Sequence, residues 1–234
     1  MKNVTVFLFV IAAVCWAGTL FEDCFDDGNA DGWSEWASHP DSADYYVQDT
    51  WYHFEIEQDD GYVATLNGDV SDTDPHLMSI PDYSIYCKVC AYDETQHLGV
   101  LGRWQSPPSG QFGYALWLRV LSNDVVLWRH DGSGTYVPLA DHNFVLDYGI
   151  DYWMRFDLVG GLLQGKVWEG SLGEEPVDYL FSVLDYTYSD PGSMGVIGQA
   201  WGVYLVHTAV DSVMVFDPMG TLEQSTWAGI KSIF

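Results

Sequence analysis

Two sets of side chains in this sequence have the types and spacing for chemistry. The stretch "WYHFEIEQDDG" places Glu55, Glu57 and Asp59 at every second position, with His53 in line. Alternate residues of a strand share a face. Paired carboxylates are what glycosidic hydrolysis needs, with the two carboxyls about 5–5.5 Å apart in a retaining enzyme. The plainer reading of this set is an exposed acidic face on an edge strand, and we expect that one.

The second set is aromatic and basic. "DYWMRFDLVGGLLQGKVWEG" reads as a hairpin folded at Gly160-Gly161, which opposes Val159 to Leu162. Directly opposed residues share a face. One face collects Tyr152, Met154, Phe156 and Leu158 with Leu163, Gly165 and Val167; the other collects Trp153, Arg155 and Asp157 with Gln164, Lys166 and Trp168. A slip of one residue would mix the two sets. In "FGYALWLRVLSNDVVLWRHDG" a two-residue turn at Asn123-Asp124 puts Tyr114, Leu116, Leu118, Val120 and Leu127 on the apolar side, with Arg129 at its rim. Trp117, Arg119, Trp128 and His130 fall on the other side, and Arg103 of "GVLGRWQ" is a candidate for the same surface. Flat indoles suit the C–H faces of sugars, and Trp, Arg, Gln, Asp and His offer the hydrogen-bonding groups that hydroxyls need. The expectation is one open trough with Trp117, Trp128, Trp153 and Trp168 as stacking platforms. Arg103, Arg119, His130, Arg155 and Lys166 would be polar contacts. The competing structural reading is an outer sheet face covered by loops, with arginine stems lying on the rings.

The elements that position these residues are strands. Apolar content is 48%, aromatic content 16%, and there are 23 glycines among 234 residues, a balance that favours strands and turns over helices. Strand-like runs such as "YSIYCKVCAY", "LGVLGRW", "GVYLVHT" and "DSVMVFD" alternate with turn clusters such as "DDGNADG", "DGSG" and "SDPGS". The pattern predicts a single antiparallel all-β sandwich or barrel over residues 19–218. "MKNVTVFLFVIAAVCWAG" has the charged start, apolar centre and small-residue end of a secretory signal over residues 1–18, so we expect export and no membrane insertion after cleavage. Residues 219–234 form a tail outside the strand pattern.

The chain carries 8 basic and 34 acidic residues, a formal charge of −26. Nucleic acid is thereby disfavoured as a partner, because backbone binding needs clustered cations. Cys87 and Cys90 form C-x-x-C inside a strand-like run, where positions three apart point to opposite faces. They are poorly placed to bridge each other, and a bridge from Cys24 to one of them remains open.

In their order along the chain, "LFEDCFDDGNADGW", "GVLGRW", "GYALWLRV", "VVLWRHDG", "YWMRFDLVGGLLQGKVWEG", "EEPVDY", "GSMGVIGQA" and "DSVMVFDP" resemble the concanavalin A-like, or laminin-G-like, superfamily from about Leu20 to Pro218. The resemblance implies a two-sheet jelly roll with a glycan groove on its concave face. It also implies several activities, since lectins, carbohydrate-binding modules, glucanases and adhesion domains share this architecture. The glucanases carry Glu-x-Asp-x-(x)-Glu on a strand. "EIEQD" departs from that pattern at its second and third acids and comes early in the chain. Among these branches we expect a non-catalytic extracellular glycan binder. A laminarinase-like or keto-disaccharide hydrolase-like enzyme and a cell-surface protein-interaction domain are the alternatives. A structural calcium ion between the first and last strands is also implied, with Asp23, Asp26 and Asp211 in the matching places, although calcium takes six to eight oxygens.

Overall fold

The computed structural model describes residues 18–57, 62–67, 80–92, 95–105, 112–132, 135–200 and 205–218. The signal reading for residues 1–18, apart from Gly18, lies outside them. So do the tail reading for 219–234 and Asp59.

Among the described residues, fifteen strands make two antiparallel sheets. In chain order they are β1 (Thr19–Asp23), β2 (Trp33–Ala37), β3 (Ala43–Gln48), β4 (Trp51–Ile56), β5 (Tyr62–Asn67), β6 (Tyr83–Ala91), β7 (His97–Gln105), β8 (Phe112–Arg119), β9 (Asp124–Asp131), β10 (Tyr136–Asn143), β11 (Asp151–Val159), β12 (Leu162–Glu169), β13 (Phe181–Leu184), β14 (Ser193–Gln199) and β15 (Val206–Phe216). The eight-stranded sheet runs β13-β12-β11-β6-β15-β4-β3, with β1 also paired to β15. The seven-stranded sheet runs β10-β9-β8-β7-β14-β5-β2. The inner faces meet in one apolar layer, where Ile85, Val89, Met154 and Phe156 of the first sheet and Leu116, Leu118, Met194 and Val196 of the second belong to a single buried cluster. Alternation along each strand is what sorts these residues inward.

The β11–β12 hairpin has the register read from its sequence: Val159 faces Leu162, Arg155 faces Lys166 and Trp153 faces Trp168. The β8–β9 hairpin differs. Arg119 pairs with Asp124, so Val120–Asn123 form a four-residue connection with Asn123 left-handed at φ +54°. The opposed pairs slide, but by an even number of positions, so each residue keeps its face. β2 is a strand that alternation did not disclose, because Trp33 and Trp36 stand three apart and point to opposite sides. β15 is one strand where two were expected. A bulge between Val210 and Ser212 shifts its phase, and the inward residues accordingly run Val206, Val210, Val213, Val215. Cys87 and Cys90 are buried free thiols, and Cys24 is an exposed one.

The β3–β4 turn is under local strain. Gln48 pairs with Trp51, leaving a two-residue turn at Asp49 (φ +52°) and Thr50 (φ +67°). Both positions ask for the left-handed region, which Asn-Gly fills readily and a β-branched threonine does not. The double change Asp49→Asn, Thr50→Gly is expected to stabilise the protein by about 1 kcal/mol, read as a raised denaturation midpoint at unchanged slope. A lowered midpoint would show that the Asp-Thr pair makes compensating contacts.

Candidate functional site

The two hairpins do not share a surface. β11 and β12 belong to the eight-stranded sheet and β8 and β9 to the seven-stranded sheet. Their outward faces lie on opposite sides of the sandwich, so the single trough expected from the sequence is not formed.

On the eight-stranded sheet the expected platforms are enclosed. Trp153 and Trp168 are 7% and 6% exposed and stack on each other, with centroids 6.2 Å apart at 15°. The Trp168 indole donates to Ser171 O at 2.9 Å. Arg155 binds Asp157 at 2.9 Å and Glu175 at 2.7 Å; Lys166 binds the same Glu175 oxygen at 2.6 Å and Pro176 O at 2.7 Å. Tyr179 lies over both cations and Tyr86 over Arg155. Burial works against ionisation of Glu175, yet Lys166 and Arg155 hold its carboxyl below the usual range. The segment after β12 thus closes over this face around a charge cluster that engages Arg155 and Lys166. Arg103 is enclosed as well. It is 0% exposed, and its guanidinium donates to Pro81 O (2.6 Å), Gly160 O (2.8 Å), Tyr188 O (3.0 Å) and Asp82 Oδ1 (3.1 Å).

On the seven-stranded sheet the outward residues form a continuous aromatic band. Trp117 of β8 packs against His97 (5.2 Å between centroids), Tyr136 (5.2 Å) and Trp128 (6.1 Å). Trp104 of β7 stacks on His130 at 5.3 Å, and His130 lies 4.4 Å from Tyr136. Leu101, Ala115, Ile197 and Trp36 complete the cluster. Two glycines let the indoles lie across neighbouring strands. A Cβ on Gly99 would sit 2.5 Å from the Trp117 ring, and one on Gly113 would sit 2.9 Å from the Trp104 ring. Trp117 and Trp104 are nearly fully buried, whereas Trp128, Trp36 and Tyr136 are half-buried. Three buried indole nitrogens, on Trp104, Trp117 and Trp128, have no acceptor, and Gln199 Oε1 on β14 has no donor. Each such group costs about 1–3 kcal/mol when left unmet. Burial, followed by the charge of Arg119, pushes the His97 imidazole down to about 4. The ring is therefore neutral near neutral pH. Arg119 itself is held by Asp124, with one contact at 2.7 Å.

Of the residues singled out in the sequence, Trp117, Arg119, Trp128 and His130 are together on this face. Trp36, Trp104, Tyr136, His97 and Gln199 join them without having been foreseen. The bulge between Gly102 and Gln105 explains Trp104. Arg103 takes φ +49° there, and the phase change turns Trp104 outward, where simple alternation from Leu98 and Val100 would point it into the core.

The acidic and cation candidates lie elsewhere. Glu55 faces outward from the eight-stranded sheet, takes a hydrogen bond from Tyr46 and lies 3.1 Å from His207 Nε2. Together with Glu57, Asp41, Ser42 and Asp44 it lines a polar hollow of about 280 Å³. Asp23 accepts from Phe25 N (2.9 Å) and the Trp33 indole (2.7 Å), Asp26 accepts from the Cys24 thiol (3.3 Å), and Asp211 pairs with Lys88 at 2.8 Å. Among the described residues no three His, Cys, Asp or Glu side chains form a group able to hold a metal. These donor sets are already engaged by N–H groups, a thiol and an ammonium and do not fit a calcium site.

No family model matches the chain, and no curated protein matches it. Solved structures do. A carbohydrate binding module, CBM66 from Bacillus subtilis, is 12% identical with a TM-score of 0.56, covering 79% of this chain and 96% of its own. The exoplasmic/lumenal domain of VIP36 in its Ca2+/Man3GlcNAc-bound form is 10% identical with a TM-score of 0.62 (85% and 88% covered). A prokaryotic β-1,3-1,4-glucanase (lichenase) derived from a mouse hindgut metagenome is 10% identical with a TM-score of 0.58 (84% and 98% covered). At such identities the likeness concerns architecture alone. The chain adopts the concanavalin A-like jelly-roll fold.

Proposed function

We propose that residues 19–218 form one secreted domain that binds an extracellular glycan on the outer face of the seven-stranded sheet and does not cleave it. The observation that carries this reading is the continuous aromatic band on this face, with half-buried rings lying over enclosed ones. The half-buried rings of Trp36, Trp128 and Tyr136 offer stacking surface, and the enclosed rings beneath hold them in place. The non-catalytic part rests on the carboxylates. Hydrolysis through an acid and a nucleophile or base needs two of them at the bound sugar. Among the described outward residues of β7, β8, β9, β10 and β14, the carboxylates beside the band are Asp124, which Arg119 holds, and Asp141, which lies opposite Val126 and acts on the same arginine. Glu55 and Glu57 belong to the other sheet. Calcium has no role in the reading.

A glycan array followed by titration calorimetry tests it. Trp128→Ala and Trp36→Ala are each expected to weaken binding at least about tenfold, the loss of roughly 1.4 kcal/mol, while the fold persists. Trp153→Ala is expected to lower the melting temperature through the eight-stranded sheet. A silent array, or unchanged affinity in both outward variants, would falsify the reading.

A further inference from the structure

We propose that His53 and His207 form a clasp between β4 and β15 that takes one added proton and is forced apart by a second, so that mild acid loosens the β3–β4 hairpin at the edge of the eight-stranded sheet. The clasp lies on the sheet opposite the aromatic band and is independent of glycan binding.

The register sets the pair up. His207 lies opposite Glu55 and Ala209 opposite His53, so the two imidazoles are diagonal neighbours on the outward face. His53 Nδ1 is 3.2 Å from His207 Nε2, and the same Nε2 is 3.1 Å from Glu55 Oε1. Flat rings hold both imidazoles in place. Tyr46 stacks on His53 with centroids 4.9 Å apart, and Tyr92 on His207 with centroids 4.3 Å apart. The pair thus crosses from β4 to β15, and β3 joins the sheet only through β4.

A count of hydrogens fixes the protonation pattern. An ionised carboxylate only accepts, and Glu55 Oε1 already takes the Tyr46 hydroxyl hydrogen. Its contact with His207 therefore requires a hydrogen on His207 Nε2. That hydrogen is shared with His53 Nδ1, which must offer a lone pair, so the hydrogen of neutral His53 sits on Nε2. A proton added at His207 Nδ1 leaves both contacts in place and adds attraction to Glu55. A proton added to His53 has to enter at Nδ1. There it would point at the N–H of His207 across 3.2 Å, with two cations face to face.

The neighbouring groups do not remove this conflict. Burial, then the charge of His207, lowers the His53 pKa against the pull of Glu55, Asp49 and the Gln48 backbone. Asp44 stands opposite Glu55 on β3, and Glu57 follows two residues after Glu55. Toward β11, burial keeps Tyr46, Tyr92 and Cys90 neutral, pushed up to about 12, about 12 and about 11. Lys88 is taken by Asp211 and Asp151. An imidazole held neutral in the fold but free to protonate once unfolded gives a stability that is complete above about pH 6.5 and is lost as the pH falls through the lowered value.

Thermal melts and amide exchange on the intact protein, at about pH 7.5 and about pH 5, test the clasp, with His53→Gln and His207→Gln beside the wild type. Between these conditions the wild type is expected to lose at least about 3 °C more in melting temperature than either variant, because each variant keeps a single imidazole. The other titrating groups, His97 among them, are common to all three proteins and cancel in the comparison. After correction for the intrinsic effect of pH on exchange, amides of β3 and β4 in the wild type are expected to exchange severalfold faster in acid, while those of β11 and β12 do not. Both variants are expected to lose that contrast. Imidazole nitrogen shifts at the higher pH are expected to show His53 neutral with its hydrogen on Nε2. Equal losses in the three proteins, faster exchange spread evenly over the sheet, or a His53 carrying its hydrogen on Nδ1 would each overturn the clasp and leave glycan binding untouched.

Discussion

Arg103→Met is expected to destabilise the protein by about 3–5 kcal/mol, measured by chemical denaturation, the range for breaking a buried charged network from one side. The fully enclosed guanidinium reaches three backbone carbonyls and Asp82 from one planar group. Those oxygens come from the segment before β6, the β11–β12 turn and the segment after β13. A single side chain therefore ties β7 of one sheet to the end of the other. Methionine fills some of the space but leaves the carbonyls unmet and Asp82 without its cation. Arg103→Lys is expected to recover little, because an ammonium concentrates its donors at one point and cannot reach oxygens that the guanidinium fork meets in several directions. A loss below about 1 kcal/mol for Arg103→Met would mean that water or rearranged backbone can replace the network.

Gly99→Ala is expected to cost about 1–3 kcal/mol, within the range for overpacking, and to abolish glycan binding as well. The added methyl carbon would meet Leu116 O at 2.3 Å and the Trp117 ring at 2.5 Å. The first contact is with backbone that is itself paired across β7 and β8, opposite Val100, so relief means prying the two strands apart. The second displaces the indole at the centre of the aromatic band. A thermal melt and a binding titration on the same sample separate these effects. A stable variant that still binds would show that Trp117 can settle elsewhere without harm, and the band would lose its claim to be a fixed platform.

What the sequence disclosed is local, and what it hid is long-range. The faces of β11 and β12 follow from alternation around a glycine turn, and their register was legible to the residue. The faces of β8 and β9 survived a misread turn because an even slide leaves parity intact. Nothing in either hairpin tells which sheet it joins. That depends on β11 pairing with β6 and β8 with β7, and the β11–β6 contact joins segments tens of residues apart. Trp153 and Trp117 therefore looked equivalent on paper and lie on opposite sides of the molecule. Bulges were the second obstacle. Each inserts one residue and inverts parity beyond it, which placed Trp104 outside and divided β15 in the sequence reading. Arg103 was misjudged for a different reason. Charge alone suggests solvent or ligand, whereas its partners are mostly carbonyls that no side-chain pattern announces.

The course of β15 has a consequence for how the domain responds to tension. Thr19 is paired with Phe216, so the first and last strands leave the sandwich side by side. A pull applied across these two ends loads the β1–β15 ladder at its outermost rung, and the bonds break in succession as a zipper opens. Shear of the whole ladder at once would need the ends at opposite poles, so β1 is the element that yields first while the apolar layer between the sheets stays closed.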